Sequence, residues 1–213
     1  MYLSIEGVIG VGKTTLARLL KDSFEAEVLL EVFEENPFLS KFYEDRARYA
    51  FQTQMFFLLS RYHQQREAVP GILKSGRNLI ADYTFAKDAL FAGINLEGDE
   101  LEMYHRVHAA LAEKIPLPDL IVYLRADTEV LMQRIATRDR PYERNMDSDY
   151  IALVNEAYEE FFDDYYHGVP VLRIDSNTID IVSSQSDLET ARAKIVDALE
   201  RAPRQAELPL DGE

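Results

Sequence analysis

The sequence predicts an α/β protein built on a five-stranded parallel sheet with helices on both faces. Three observations predict it. Short apolar runs alternate with long helical patterns along most of the chain. The 213 residues are 47% hydrophobic, which suits a single domain over residues 1–201 with one substantial core. A glycine-rich turn joins the first apolar run to the first helix, an arrangement that lets an open sheet receive an anion.

Residues 2–5 read as a short buried strand, and residues 15–24 as the helix after the glycine turn. Residues 28–30 form the second apolar run. Residues 49–69 are long, aromatic and aliphatic, and Pro70-Gly71 punctuates their end. Residues 78–81 give the third strand. An amphipathic helix over 99–113 stops before Ile115-Pro116-Leu117-Pro118. The fourth strand, 120–124, leads to a helix over 127–138 that opens on a capping candidate, Asp127. An acidic, aromatic helix spans 147–166. The fifth strand, 169–174, precedes a last helix over 186–201, for which Ser186 is a plausible cap. Residues 202–213 lack periodicity and are expected to be disordered or loosely attached.

A net charge of −15 argues against a nucleic-acid polymer or an anionic membrane as partner. The absence of cysteine excludes disulfides, thiolate metal sites and thiol nucleophiles. No apolar stretch is long enough to span a bilayer. A strand beginning at Tyr2 leads to the expectation of no signal peptide and of a cytoplasmic location, unless a targeting segment has been removed.

Gly7-Val8-Ile9-Gly10-Val11-Gly12-Lys13-Thr14 fits the Walker A pattern and stands between a strand and a helix. Main-chain amides of Gly7, Gly10, Val11, Gly12, Lys13, Thr14 and Thr15 would cradle the phosphates of ATP at the positive end of the helix dipole. Lys13 would reach the β- and γ-phosphates, and the Thr14 hydroxyl would ligate Mg²⁺.

Ligands of open sheets bind beyond the carboxyl ends of the strands. Glu31 follows the second strand, where a carboxylate could accept the proton of an attacking hydroxyl or be only an acidic loop residue. Asp82 follows the third, as a second metal ligand or as a turn aspartate. Arg134, Arg138 and Arg140 cluster before a helix break, as a mobile lid over phosphoryl groups or as surface arginines paired with nearby carboxylates, a reading that applies best to Arg134. Gln54 and Arg61, seven residues apart, share a helical face among aromatic residues, as a base-reading pair or a polar stripe. His63, His105, His108 and His167 show no metal spacing and read as structural or exposed.

In this order the motifs resemble the deoxyribonucleoside kinase family, particularly its bacterial deoxyadenosine and deoxyguanosine members, from Met1 to the last helix. The likeness rests on Gly7 to Thr14, Glu31 with Glu35-Asn36-Pro37-Phe38, Phe42-Tyr43, Arg48-Tyr49-Ala50-Phe51 through Gln54 to Arg61, Asp88-Ala89-Leu90-Phe91, and Arg138-Asp139-Arg140-Pro141-Tyr142-Glu143. It implies a three-layer P-loop kinase fold with an arginine-bearing lid and phosphorylation of the 5′-hydroxyl of a deoxyribonucleoside by ATP. Glu31 is implied as general base, helped by Lys13, Arg138 and Arg140. Tyr43 and Glu143 would hold the sugar. Gln54, Arg61 and Asp88 would read a purine, with deoxycytidine also admitted. Arg134, Asp175 and Asn177 would lie at the ATP, and Thr14 with Asp82 at Mg²⁺. A homodimer is implied as well.

Two positions depart from the family pattern. Val32-Phe33 follows Glu31 where Pro-Val is common. Asp82-Tyr83-Thr84 stands where Asp/Glu-Arg-Ser is usual, so either Arg61, Lys87 or a lid arginine supplies the missing positive charge or the site is tuned differently. The alternatives are a nucleoside monophosphate kinase of thymidylate type, needing further cations for the acceptor phosphate, and a nucleotide-binding regulatory protein without transfer.

Overall fold

A computed structural model of the chain describes residues 1–166 and 168–202. The tail expected to be loose lies, from residue 203 onward, outside the described residues, as does His167. Five strands form one parallel sheet in the order β2-β3-β1-β4-β5: β1 Tyr2–Glu6, β2 Ala26–Leu29, β3 Asn78–Ala81, β4 Leu120–Arg125 and β5 Val171–Asp175. β1 is buried along its whole length because it lies at the centre, between β3 and β4. Tyr2, Leu3 and Ile5 are apolar on both faces, as expected of a strand covered on both sides, and the polar Ser4 and Glu6 are buried with hydrogen-bond partners.

The helices are α1 Lys13–Leu20, α2 Leu39–Glu44, α3 Arg46–Lys74, α4 Lys87–Asn95, α5 Gly98–Ala112, α6 Thr128–Arg138, α7 Ser148–Glu160 and α8 Gln185–Arg201. A 3₁₀ turn, Pro141–Glu143, follows α6, and a π turn, Phe161–Tyr165, ends α7. The main core joins Leu3, Ile5, Leu16, Ile80, Val122, Leu131 and Ile195 across the sheet.

Several boundaries differ from the sequence reading. α3 begins earlier, because the Asp45 side chain accepts from the Arg48 amide. It also runs through Pro70 to Lys74. Proline removes one helical hydrogen bond, but Ala68, Ile72 and Leu73 pack on a second cluster of Tyr2, Leu29, Val69, Leu79, Ala81 and Tyr83. That packing keeps the last turn helical. Ser184, not Ser186, caps α8 by accepting from the Asp187 amide at 3.2 Å. Asp127 holds the cap position of α6, but its side chain makes no capping bond. The short helices α2 and α4 are additional to the predicted set.

Candidate active site

The carboxyl ends of β1, β2 and β3 open on one cleft, and the turn after β1 separates it from a second cleft bounded by β5 and α8. Gly7 and Gly10 of that turn have φ of +141° and +90°. A Cβ on Gly7 would lie 2.4 Å from the Leu124 carbonyl oxygen, so only glycine lets the loop pass this close to β4. Gly12, at φ +111°, leads into α1.

Lys13 Nζ donates to the carbonyls of Gly7 at 2.7 Å and Val8 at 3.1 Å, folded back over the loop. Burial, with repulsion from Lys87, lowers its pKa to about 8. Thr14 Oγ1 donates to Asp82 Oδ2 at 2.5 Å, and Asp82 Oδ1 accepts from the Glu31 amide at 2.7 Å. Asp82 therefore ties β3 to both α1 and the exit of β2. A hydroxyl and a carboxylate side by side beneath a phosphate loop fit Mg²⁺, which keeps several waters and takes its other ligands from substrate phosphates. Among the described residues no cluster of three or more His, Asp or Glu side chains offers a metal a full protein cage.

Glu31 lines the first cleft with both oxygens engaged. Oε1 accepts from Arg61 Nε at 3.0 Å and from Arg61 Nη2, and Oε2 accepts from Lys87 Nζ at 2.7 Å. Burial alone would raise its pKa, but the Arg61 and Lys87 charges outweigh burial and hold the carboxyl well below the usual range. Glu31 is thus ionised. Arg61 also donates from Nη1 to Asp88 Oδ1. Asp88 is fully buried behind Arg61, and its Oδ2 has no partner among the described residues. Gln54, 3% exposed, faces the same cleft, and its amide has no hydrogen-bond partner among the described residues. Tyr43, Phe57 and Phe91 line the walls, and burial raises the Tyr43 pKa well above its ordinary value, keeping its hydroxyl protonated.

The segment after α6 roofs this cleft. Arg138 makes a bidentate pair with Glu143, Nε to Oε2 at 2.7 Å and Nη2 to Oε1 at 2.6 Å. Arg140 approaches Glu143 Oε1 at 3.7 Å and stacks on the Phe33 ring at 4.3 Å. Phe33, one of the two departures after Glu31, is thereby a contact for the lid.

The second cleft collects Gly10, Val11, Gly12, Thr14, Thr15, Arg134, Ser176 and residues 179–182. Arg134 is a brace here. It donates to the Val11 carbonyl at 3.2 Å, Ser176 Oγ at 3.0 Å and the Ser176 carbonyl at 2.8 Å. Asp175 and Asn177 stand off the cleft wall. Asp175 Oδ1 accepts from the Asn177 amide, and Asn177 Oδ1 from the Asp127 amide, each at 2.9 Å. These bonds shape the loop whose Ser176, Ile179 and Ile181 reach the cleft.

Sequence reasoning missed Glu6. It is fully buried at the end of β1 and accepts from the amides of Gly7 and Thr84, from Thr84 Oγ1 and from the Tyr158 hydroxyl. It pins the entry of the phosphate loop to β3 and α7. Tyr83 turns away from the cleft into the second cluster, donating to Gln64 Oε1 at 2.6 Å, while Gln64 Nε2 donates to the Leu30 carbonyl at 2.8 Å. It steadies the backbone beside Glu31 but brings no charge. Of the described histidines, His63 and His105 are exposed, and none lines either cleft.

A phosphate loop shared by two clefts, one roofed by paired arginines, defines a kinase of the P-loop fold. Comparison with known proteins is specific. The chain belongs to the deoxynucleoside kinase family, whose profile matches residues 3–200. It is 36% identical over 197 residues to the deoxyguanosine kinase of Bacillus subtilis, covering 91% of this chain and 95% of that protein. It is 33% identical to the deoxyadenosine kinase of Dictyostelium discoideum, covering 81% of this chain and 71% of the relative. The deoxyadenosine kinase from M. mycoides with bound dATP superposes with a TM-score of 0.79 at 25% identity, over 92% of this chain and 99% of that one. The chain is therefore a phosphotransferase acting on deoxynucleosides.

Proposed function

We propose that the chain transfers the γ-phosphoryl of ATP to the 5′-hydroxyl of a purine deoxyribonucleoside, with deoxycytidine also admitted. The observation that carries this reading is the ionised Glu31 in the first cleft, next to the phosphate loop. Glu31 orients the hydroxyl and accepts its proton. Lys13, Arg138 and Arg140 stabilise charge on the transferring group. Mg²⁺ held by Thr14 and Asp82 would neutralise phosphate charge. The unpartnered Gln54 amide supports base recognition, because an amide can pair bidentately with a base edge. The Arg61–Asp88 pair lies beside it, and relatives named for deoxyguanosine and deoxyadenosine support a purine. Tyr43 and Glu143, which line the same cleft, would hold the sugar.

A 5′-monophosphate acceptor would need a cation in the first cleft whose charge no carboxylate already balances. Arg61 and Lys87 are both engaged by Glu31, and Arg48 is exposed and packed on Tyr49. Glu31→Gln should still bind nucleoside, with kcat reduced by about 10²–10⁴-fold. Turnover assays on the four deoxynucleosides with ATP and Mg²⁺, alongside calorimetric binding, test this. Near-normal turnover in that variant would remove Glu31 from the mechanism, and preference for thymidine or a 5′-monophosphate would overturn the substrate assignment.

A further inference from the structure

The first cleft holds a lysine that no sequence motif required. Lys87 is the first residue of α4 and only 6% exposed. Its ammonium lies 2.7 Å from Glu31 Oε2, and the Phe91 ring covers its other side at 5.8 Å. An ammonium carries three donors. One is used by Glu31, and the other two meet no acceptor among the described residues, although the side chain lines the cleft. A buried cation with spare donors calls for another oxygen. Lys87 also balances the charge of the cluster, since Arg61 is shared between Glu31 and the buried Asp88, but that role occupies only one of its donors. Tyr83, at the β3 exit, points into the second apolar cluster and supplies no positive charge to the cleft.

We propose that Lys87 is a catalytic residue of the acceptor site: its ammonium binds the acceptor oxygen beside Glu31 and stabilises the negative charge that gathers between that oxygen and the incoming phosphorus. The inference rests on the phosphoryl-transfer reading above. In the step, the acceptor O–H proton passes to Glu31 and the acceptor oxygen bonds to phosphorus. The bond from phosphorus to the bridging oxygen breaks, and its electron pair leaves with the nucleoside diphosphate. Lys87 stays an ammonium throughout. It stabilises charge and does not shuttle the proton. Such preorganised cations act where charge develops in the transition state, so their removal lowers kcat more than binding.

The test compares Lys87→Met and Lys87→Arg with the wild-type full chain. kcat and KM are measured for deoxyguanosine and deoxyadenosine at saturating ATP and Mg²⁺, with nucleoside affinity by calorimetry and thermal melting of each variant. Lys87→Met should lose about 10²-fold in kcat while nucleoside affinity changes less than about threefold. Lys87→Arg should regain at least about tenfold of that loss. Should the methionine variant fail to fold, Lys87→Gln, which keeps a donor to Glu31 without the charge, replaces it in the same comparison. A kcat within about threefold of wild type in the uncharged variant overturns the proposal. So does an equal loss in the arginine and uncharged variants, or a loss confined to affinity and melting temperature, because these mark a packing role. An active wild type with an insensitive Lys87 sinks this inference alone. A wild type that phosphorylates no deoxynucleoside sinks both readings.

Discussion

Gly7 shows how a single position can decide whether the site exists. Its φ of +141° and the carbonyl of Leu124, 2.4 Å from where a Cβ would be, leave no room for a side chain. Gly7→Ala should therefore destabilise the fold by at least about 2 kcal/mol and weaken ATP binding, as read by denaturant unfolding and calorimetry. An alanine variant with wild-type stability and affinity would show that the loop yields easily. Gly7, Lys13 and Thr14 were legible because the motif is local. Glu31 and Asp82 were legible as carboxylates at strand exits, though sequence left their bland readings open. Glu6 was not legible, and Lys87 was legible only as one of several cations that could stand in for the charge missing at Tyr83. The partner of Lys87 is 56 residues away, and the Tyr158 hydroxyl that Glu6 accepts is 152 residues away. No periodicity reports contacts of that span.

At the scale of elements, sequence signals located the long helices and strands but not their ends. Proline at position 70 reads as a stop, yet burial of the last turn of α3 outweighs one missing hydrogen bond. α4 was illegible as a helix because it is short and draws its stability from burying Lys87, Asp88, Leu90 and Ala92. Its approach loop also packs on α5, where His108 stacks on Phe85 at 4.9 Å and meets the Phe85 carbonyl at 3.4 Å. Burial lowers the His108 pKa, with a smaller contribution from His105, although the hydrogen bond with Phe85 opposes the shift. Tyr104, stacked on its other neighbour face at 6.3 Å, brings no charge at neutral pH. Between the ordinary histidine value near 6.5 and the lower native one, the unfolded chain binds more protons than the folded chain. Stability from this group is complete above that window and declines as pH falls through it. Melting temperature should drop more steeply below about pH 6.5 in wild type than in His108→Phe. Parallel slopes would assign the acid sensitivity elsewhere.

For the whole molecule, the alternation of strands and helices announced a parallel sheet, but not the order β2-β3-β1-β4-β5, which depends on crossovers rather than local pattern. No described helix is long and apolar enough to cross a membrane. The homodimer implied by the family resemblance can be tested at exposed apolar side chains. Leu59 on α3 and Met103 on α5 are 43% and 56% exposed on helices that pack together. Light scattering should give twice the chain mass, and Leu59→Glu with Met103→Glu should give the monomer. A wild-type monomer would remove the dimer from the account. One guanidinium, finally, reaches from Glu31 at the wall of the first cleft to Asp88 buried behind it. Whatever draws Arg61 toward the deep end slackens its grip at the other. On the reading proposed for this site, nucleobase range is yoked to turnover: a descendant enzyme altering its taste at Asp88 would have to retune its proton acceptor in the same stroke.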